Sequence, residues 1–101
     1  MLFTISGTGN TVFTMPDSVT TVRIVGTFTS GSSNFIVWVG PAGSACSVSV
    51  GGNCRLLVNV IIGTSSLASS TTYDGVVQTG GGGTVSILNS ADVSWSFTEV
   101  R

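Results

Sequence analysis

The two cysteines are the first side chains in this sequence that could do chemistry. Cys46 and Cys54 bound the short segment "CSVSVGGNC". If the runs on either side of "GGN" pair as a hairpin, the two thiols lie opposite each other, within the distance that a disulfide requires. A metal site needs more ligands than two thiols, and the chain has no histidine. We therefore predict a Cys46–Cys54 disulfide, which favours an oxidising exterior, and no metal site; the alternative is two buried free thiols.

The four carboxylates are the only candidates for a two-acid mechanism. The aspartates lie in the turn-like contexts "MPDS", "YDG" and "NSAD", and Glu99 lies two residues from the end of the sequence. With neither histidine nor lysine, the chain has no histidine-activated nucleophile and cannot form a Schiff base. We predict no enzyme, no catalytic residue and no cofactor.

Aromatic side chains could serve as a platform for a ligand or as a contact for another subunit. Trp95 alternates in phase with apolar neighbours, which favours the core. Trp38 and Tyr73 are the candidates, with plain packing as a third alternative for Tyr73, and Asn34 and Asp74 are among the polar side chains that could accompany them.

The composition excludes several classes of function. Only 7% of the residues are charged, against about 25% in an average soluble domain, while 30 residues are serine or threonine. A net charge of -1 with three scattered arginines cannot form a phosphate-binding stripe, so no nucleic acid partner is expected. No apolar run reaches the length of a bilayer span, so no membrane insertion is expected, and "MLFTISGTGN" shows no signal peptide.

Alternating apolar and polar residues predict an all-β fold. The period of two is clear in "VTTVRIVGTFTS", "FIVWV", "CRLLVNVII" and "VSWSFTEV", and turn-forming residues separate these runs. In the third run the alternation places Leu56 and Val58 on one face. We predict one domain over residues 1–101, an antiparallel β-sandwich of eight or nine short strands with jelly-roll or immunoglobulin-like topology. A closed β-barrel is the alternative. The run "TGGGGT" is predicted to be a flexible hairpin connection, because it lacks the residues of a phosphate-binding loop.

Three segments resemble a known group of domains. "SSNFIVWVG", "LLVNVIIGTS" and "GGGTVSILNSADVSWSFTEVR" look like β-rich accessory domains at the C-terminal ends of bacterial secreted or cell-surface proteins, including proteins with Ig-like repeats. The resemblance covers about half of the chain and lies in core and turn residues. It implies an exterior, non-enzymatic module and carries over no binding residue.

Two functions from different classes remain. The first is a structural interaction protein that self-assembles, or that decorates a larger protein lattice on a virion, filament or cell surface, in an extracellular location. It is favoured by a mean hydropathy of +0.55, by the scarcity of charge, and by strand edges that could extend a neighbour's sheet. The alternative is a carbohydrate-binding or adhesion module with a glycan as its partner. Apolar neighbours around Trp38 or Tyr73 would indicate a subunit contact, and solvent-exposed Asn and Asp side chains around them would indicate a glycan site.

Overall fold

The fold is all-β. The computed structural model describes residues 2–28, 34–41, 43, 54–60 and 72–100. Within these ranges there are eight strands and no helix. The strands are β1 (Thr4–Thr8), β2 (Thr11–Met15), β3 (Thr21–Phe28), β4 (Phe35–Gly40), β5 (Arg55–Val60), β6 (Thr72–Gln78), β7 (Gly83–Leu88) and β8 (Val93–Glu99).

The strands form two antiparallel sheets of four. The first sheet has the order β1-β8-β3-β6 and the second sheet has the order β2-β7-β4-β5. Among the consecutive strands, only β4 and β5 are neighbours in one sheet, and every other connection crosses between the sheets. This is the strand order of an eight-stranded jelly roll. The predicted antiparallel β-sandwich is confirmed, with the jelly-roll order of its two predicted topologies, since an immunoglobulin-like sandwich keeps its first two strands in one sheet. The alternative of a closed barrel is wrong, because the two sheets remain separate.

Two aromatic clusters join the sheets across the core. On the β8 side of the first sheet, Phe13 of the second sheet stacks on Trp95 with a centroid distance of 5.8 Å and meets the edge of Phe97 at 5.2 Å. On the β3 and β6 side, Phe35 of the second sheet meets Phe28 and Tyr73 edge-on, at 6.4 and 6.0 Å. Aliphatic side chains fill the space between the sheets; those that are at least 95% buried are Met15, Val19, Val22, Ile24, Val37, Val39, Val58, Val85, Ile87 and Val93.

The predicted strand faces are confirmed in β3, β4 and β8 and wrong in β5. A β-bulge interrupts the pairing of β4 with β5, so that Val37 lies opposite Val58 but Trp38 lies opposite Leu56. The extra residue, Leu57, packs against the core, and Leu56 faces outward with 39% of its surface exposed. A bulge inserts one residue and reverses the alternation on one side of it, which the spacing of apolar residues could not reveal.

The glycine run is a crossover between the sheets, so the prediction of a hairpin connection is wrong. β6 belongs to the first sheet and β7 to the second, so the run carries the chain from one sheet to the other. Gly80, Gly81, Gly82 and Gly83 all have positive φ angles, between 82° and 116°. A Cβ atom on Gly82 would lie 2.5 Å from the carbonyl oxygen of Pro16. Glycine is therefore required here both by the backbone conformation and by the close approach of the chain's own turn after β2.

Candidate interaction surface

The outer face of the second sheet carries Trp38 in a row of uncharged residues. Alternation in β4 turns Phe35, Val37 and Val39 inward, so Trp38 points away from the core, as predicted. Its cross-strand neighbours are Leu56 on β5 and Ser86 on β7, and Ser86 in turn lies opposite Val12 on β2. We call this row, Val12–Ser86–Trp38–Leu56, the Trp38 row. Its two ends are open to solvent, with Val12 53% and Leu56 39% exposed.

The centre of the Trp38 row is partly covered. Ser86 is fully buried although it lies on the outer side of the sheet, and Trp38 is half-buried. The backbone N–H of Gly43 donates to Thr84 Oγ1 at 2.9 Å, so the chain returns over this face just after β4. The indole Nε1 of Trp38 is buried and has no hydrogen-bond partner among the described residues. The indole ring of Trp38 is therefore partly covered, and its N–H is withdrawn from the surface.

Tyr73 lies between the sheets. The side chains of β6 alternate so that Tyr73, Gly75 and Val77 face the core. The Tyr73 ring lies over Gly75, where a Cβ atom would clash with the phenol oxygen, and it packs edge-on against Phe35. This placement favours plain packing for Tyr73, since its ring is directed at the core.

Asp74 forms an ion pair on the outer face of the first sheet. Arg23 Nε donates to Asp74 Oδ1 at 2.9 Å and Arg23 Nη2 donates to Asp74 Oδ2 at 2.6 Å. These hydrogen bonds lower the pKa of the Asp74 carboxyl below its ordinary value of 3.8; desolvation opposes the change and Coulomb attraction to Arg23 reinforces it. The same hydrogen bonds are the main cause of the raised pKa of Arg23. Asp74 lies inside a strand, so its interpretation as a turn former is wrong.

The rest of that outer face is lined with hydroxyl groups. Three rows of outward residues cross all four strands of the first sheet. They are Thr4–Thr98–Arg23–Val76, Ser6–Ser96–Val25–Asp74 and Thr8–Ser94–Thr27–Thr72. We call this surface the hydroxyl face. It carries a shallow depression of about 410 Å³ around Val25 and the middle of β1 and β8. Its groups can donate and accept hydrogen bonds, but its only charges neutralise each other.

The four contact candidates do not form one site. Trp38 points outward from the second sheet, Asp74 points outward from the first sheet, and Tyr73 lies between them. Asn34 is half-buried just before β4, where its backbone N–H donates to the carbonyl oxygen of Asn89 at 3.1 Å. Sequence reasoning grouped them by residue type, but strand order separates them.

The predicted disulfide stays a prediction. Cys54 is half-buried immediately before β5, and Cys46 lies outside the described residues.

Sequence reasoning missed the role of Glu99, whose side chain holds the ends of β1 and β8 together. Glu99 is 6% exposed, and its Oε1 accepts a hydrogen bond from the backbone N–H of Phe3 at 3.0 Å. The backbone N–H of Glu99 in turn donates to the carbonyl oxygen of Phe3 at 2.8 Å. The signal available in the sequence was the position of Glu99 in phase with Val93, Trp95 and Phe97, which predicts an inward side chain.

Comparisons with known proteins assign no family: no family model, no curated protein and no solved structure matches this chain. In the part of the chain that the structure describes, no three potential metal-ligating side chains come together. Nor do the described residues include a helix with the length and hydropathy needed to cross a membrane.

Proposed function

We propose that this protein is a non-enzymatic structural subunit, a jelly roll that associates with copies of itself or decorates a larger assembly on the exterior of a cell or virion. The observation that carries the proposal is the Trp38 row. Apolar side chains remain exposed at both of its ends and no charged residue interrupts it. Exposed apolar groups without intervening charge are suited to a protein contact, because little desolvation opposes their burial.

The exposure of the aromatic residues supports this proposal over a carbohydrate-binding module. All eight aromatic residues of the chain are among the described residues, and each is buried or half-buried. The neighbours of Trp38 across its strand are Leu56 and Ser86, with Ile36 next on the same face of β4. A glycan platform would instead need a solvent-exposed ring surrounded by amide and carboxylate groups.

An exterior location accompanies the proposal. It is supported by the predicted Cys46–Cys54 disulfide, because disulfides persist in oxidising compartments. The resemblance of three segments to accessory domains of secreted proteins points the same way.

The test is light scattering behind a sizing column, over a concentration series of untagged protein. We expect assemblies larger than a monomer, whose proportion rises with concentration. The variant Leu56→Lys places a charge at the end of the Trp38 row and should weaken association by roughly tenfold or more. Its matched control is Val76→Lys, since Val76 is 60% exposed on an edge strand at the same side of the sandwich but faces outward from the other sheet.

A monomer at every concentration would contradict self-assembly. A glycan screen is the second measurement, with Trp38→Ala as the variant. Glycan binding that Trp38→Ala abolishes would replace the assembly proposal with the carbohydrate-binding alternative.

A further inference from the structure

We propose that two copies of this chain join by antiparallel pairing of their β1 strands, so that the first sheet continues from one subunit into the next. This inference rests on the proposed function, because it names the interface through which self-assembly begins. It is carried by the geometry of one sheet edge.

The hydrogen-bonding groups of β1 divide into an inward and an outward set. Glu99 N–H donates to the Phe3 carbonyl at one end of the β1–β8 ladder, and Gly9 N–H donates to the Val93 carbonyl at the other, at 2.8 and 2.9 Å. Because hydrogen-bonded pairs alternate along an antiparallel ladder, the odd-numbered residues between them bond to β8. The backbone N–H and C=O groups of Thr4, Ser6 and Thr8 therefore point away from the sheet. Their side chains are exposed, and within the described residues their outward backbone groups have no partner.

Within the described residues, this edge lacks the features that normally prevent strand addition. Natural sheets protect their edges with charged side chains, prolines, bulges or a covering segment. The sequence of β1, "TISGT", contains no charge and no proline, and its pairing with β8 shows no shift of register.

The opposite side of the sandwich, formed by β5 and β6, is protected. Asp74 on β6 is held in an ion pair with Arg23. Arg55 Nη2 donates to the carbonyl oxygen of Gln78 at 2.6 Å and so occupies an edge group of β6. β5, which is the edge strand of the second sheet on this side, pairs with β4 through a bulge. Of the two edges of the first sheet, β1 is thus the one suited to accept another strand.

The edge is also self-complementary. When Ser6 lies opposite Ser6 of the partner subunit, Thr4 lies opposite Thr8 of the partner subunit, and Thr8 lies opposite Thr4 of the partner subunit. The outward backbone groups of all three residues then form hydrogen-bonded pairs. Because β1 carries no charged side chain, the pairing brings no like charges together. The hydroxyl faces of the two subunits then continue into each other across the new pairing.

The strand is held in place before it pairs. Glu99 fixes the N-terminal side of β1 through Phe3, and Trp95 Nε1 donates to the carbonyl oxygen of Gly9 at 2.9 Å just beyond its C-terminal end. A preorganised edge loses little conformational entropy on binding. Five residues extend only about 17 Å, so this contact alone is smaller than a standard interface and we expect a weak, concentration-dependent pair.

Amide hydrogen exchange, followed residue by residue in the untagged protein at low and high concentration, tests the pairing directly. We expect the amides of Thr4, Ser6 and Thr8 to exchange quickly when the protein is dilute and at least several-fold more slowly when it is concentrated. The inward amides of Ile5 and Gly7 should be protected throughout. The outward amides of β6, such as that of Val76, provide the internal control and should not change with concentration.

Variants supply a second, independent readout. Ser6→Pro removes an outward N–H without breaking the bonds to β8, and should weaken association by roughly tenfold or more because the two-fold pairing loses a bond from each subunit. Ser6→Ala keeps the N–H and should associate as the wild type does. Val76→Pro places the same substitution on an outward position of the protected edge and should also leave association unchanged. If Ser6→Pro does not fold, the exchange rates of the wild-type protein decide the question.

Two outcomes separate this inference from the proposed function. Assembly in which the outward β1 amides exchange as fast as in dilute solution would overturn edge pairing and leave the assembly function intact. A monomer at all concentrations would overturn both edge pairing and self-assembly, and of the proposed function only the decoration of another protein's assembly would stand.

Discussion

The ring of Phe35 in β4 lies directly over the Cα atom of Gly26 in β3, so that a Cβ atom on Gly26 would be 2.5 Å from Phe35 Cε2. Phe35 cannot move aside freely, because it is fully buried and meets Phe28 and Tyr73 edge-on. Gly26 thus sets how closely the two sheets approach where Phe35 packs on β3.

We expect Gly26→Ala to lower the free energy of unfolding by about 1–3 kcal/mol through overpacking. Urea denaturation measures the change. The double variant Gly26→Ala/Phe35→Leu should be less destabilised than the sum of the two single variants, since the smaller side chain makes room for the new methyl group. Strict additivity would show that the two residues do not interact.

The ion pair between Arg23 and Asp74 predicts a pH dependence. Arg23 lowers the pKa of Asp74 in the folded protein below 3.8, so on acidification the unfolded chain takes up this proton first. The stabilising contribution is therefore complete at neutral pH, begins to fall as the pH approaches 3.8, and is lost as the pH drops through the lowered pKa of the folded state.

The free energy of unfolding of the wild type and of Asp74→Asn, measured from pH 7 to pH 2, checks this. The difference should be larger at pH 7 and vanish at the acidic end, and it should shrink with added salt because the pair is exposed. Asp17→Asn removes the same charge from the turn after β2 and should not reproduce the profile.

The two tryptophans should differ in their response to the same substitution. Trp95 is 4% exposed and its Nε1 donates to the carbonyl oxygen of Gly9, whereas Trp38 Nε1 has no partner among the described residues. Trp95→Phe removes a buried hydrogen bond, whereas Trp38→Phe removes none that the described residues make. We expect Trp95→Phe to be the more destabilising by about 1–3 kcal/mol in chemical denaturation. Equal losses of stability in the two variants would contradict a stabilising role for the hydrogen bond from Trp95 to Gly9.

The predicted disulfide can be tested by mass and by stability together. An oxidised Cys46–Cys54 pair leaves no thiol for an alkylating reagent, and its reduction should lower the free energy of unfolding by roughly 2.5 kcal/mol, from the entropy of the loop that it closes. The double variant Cys46→Ser/Cys54→Ser should be insensitive to reductant. Two thiols that react with the alkylating reagent in the untreated protein would remove this argument for an exterior location.

The alternation of side chains predicts much of this fold, because in a strand that is buried on one side an apolar side chain must recur at every second residue. Val93, Trp95 and Phe97 face the core for that reason, as do Phe35, Val37 and Val39. Leu56 departs from this alternation because of the bulge between β4 and β5. A bulge depends on how two strands pair, and the spacing of residues along one strand contains no information about that pairing.

The candidate site was less predictable, since it depends on which strands become neighbours. Arg23 and Asp74 are 51 positions apart in the sequence and meet only because β3 pairs with β6. Tyr73 was open to several interpretations because β6 alternates weakly, with Gly75 among its inward residues. The exposure of β1 as an edge likewise follows from strand order.

The contact between Arg55 and the Gln78 carbonyl has a consequence for the size of any assembly. A sheet with two open edges could recruit subunit after subunit and grow into a fibre. Here the β6 edge of the first sheet is met by a side chain of the same molecule, so we expect growth of that sheet through β1 to end at two copies. On this proposal Arg55 limits extension of the first sheet, and larger assemblies would need a second contact, such as the face that carries Trp38.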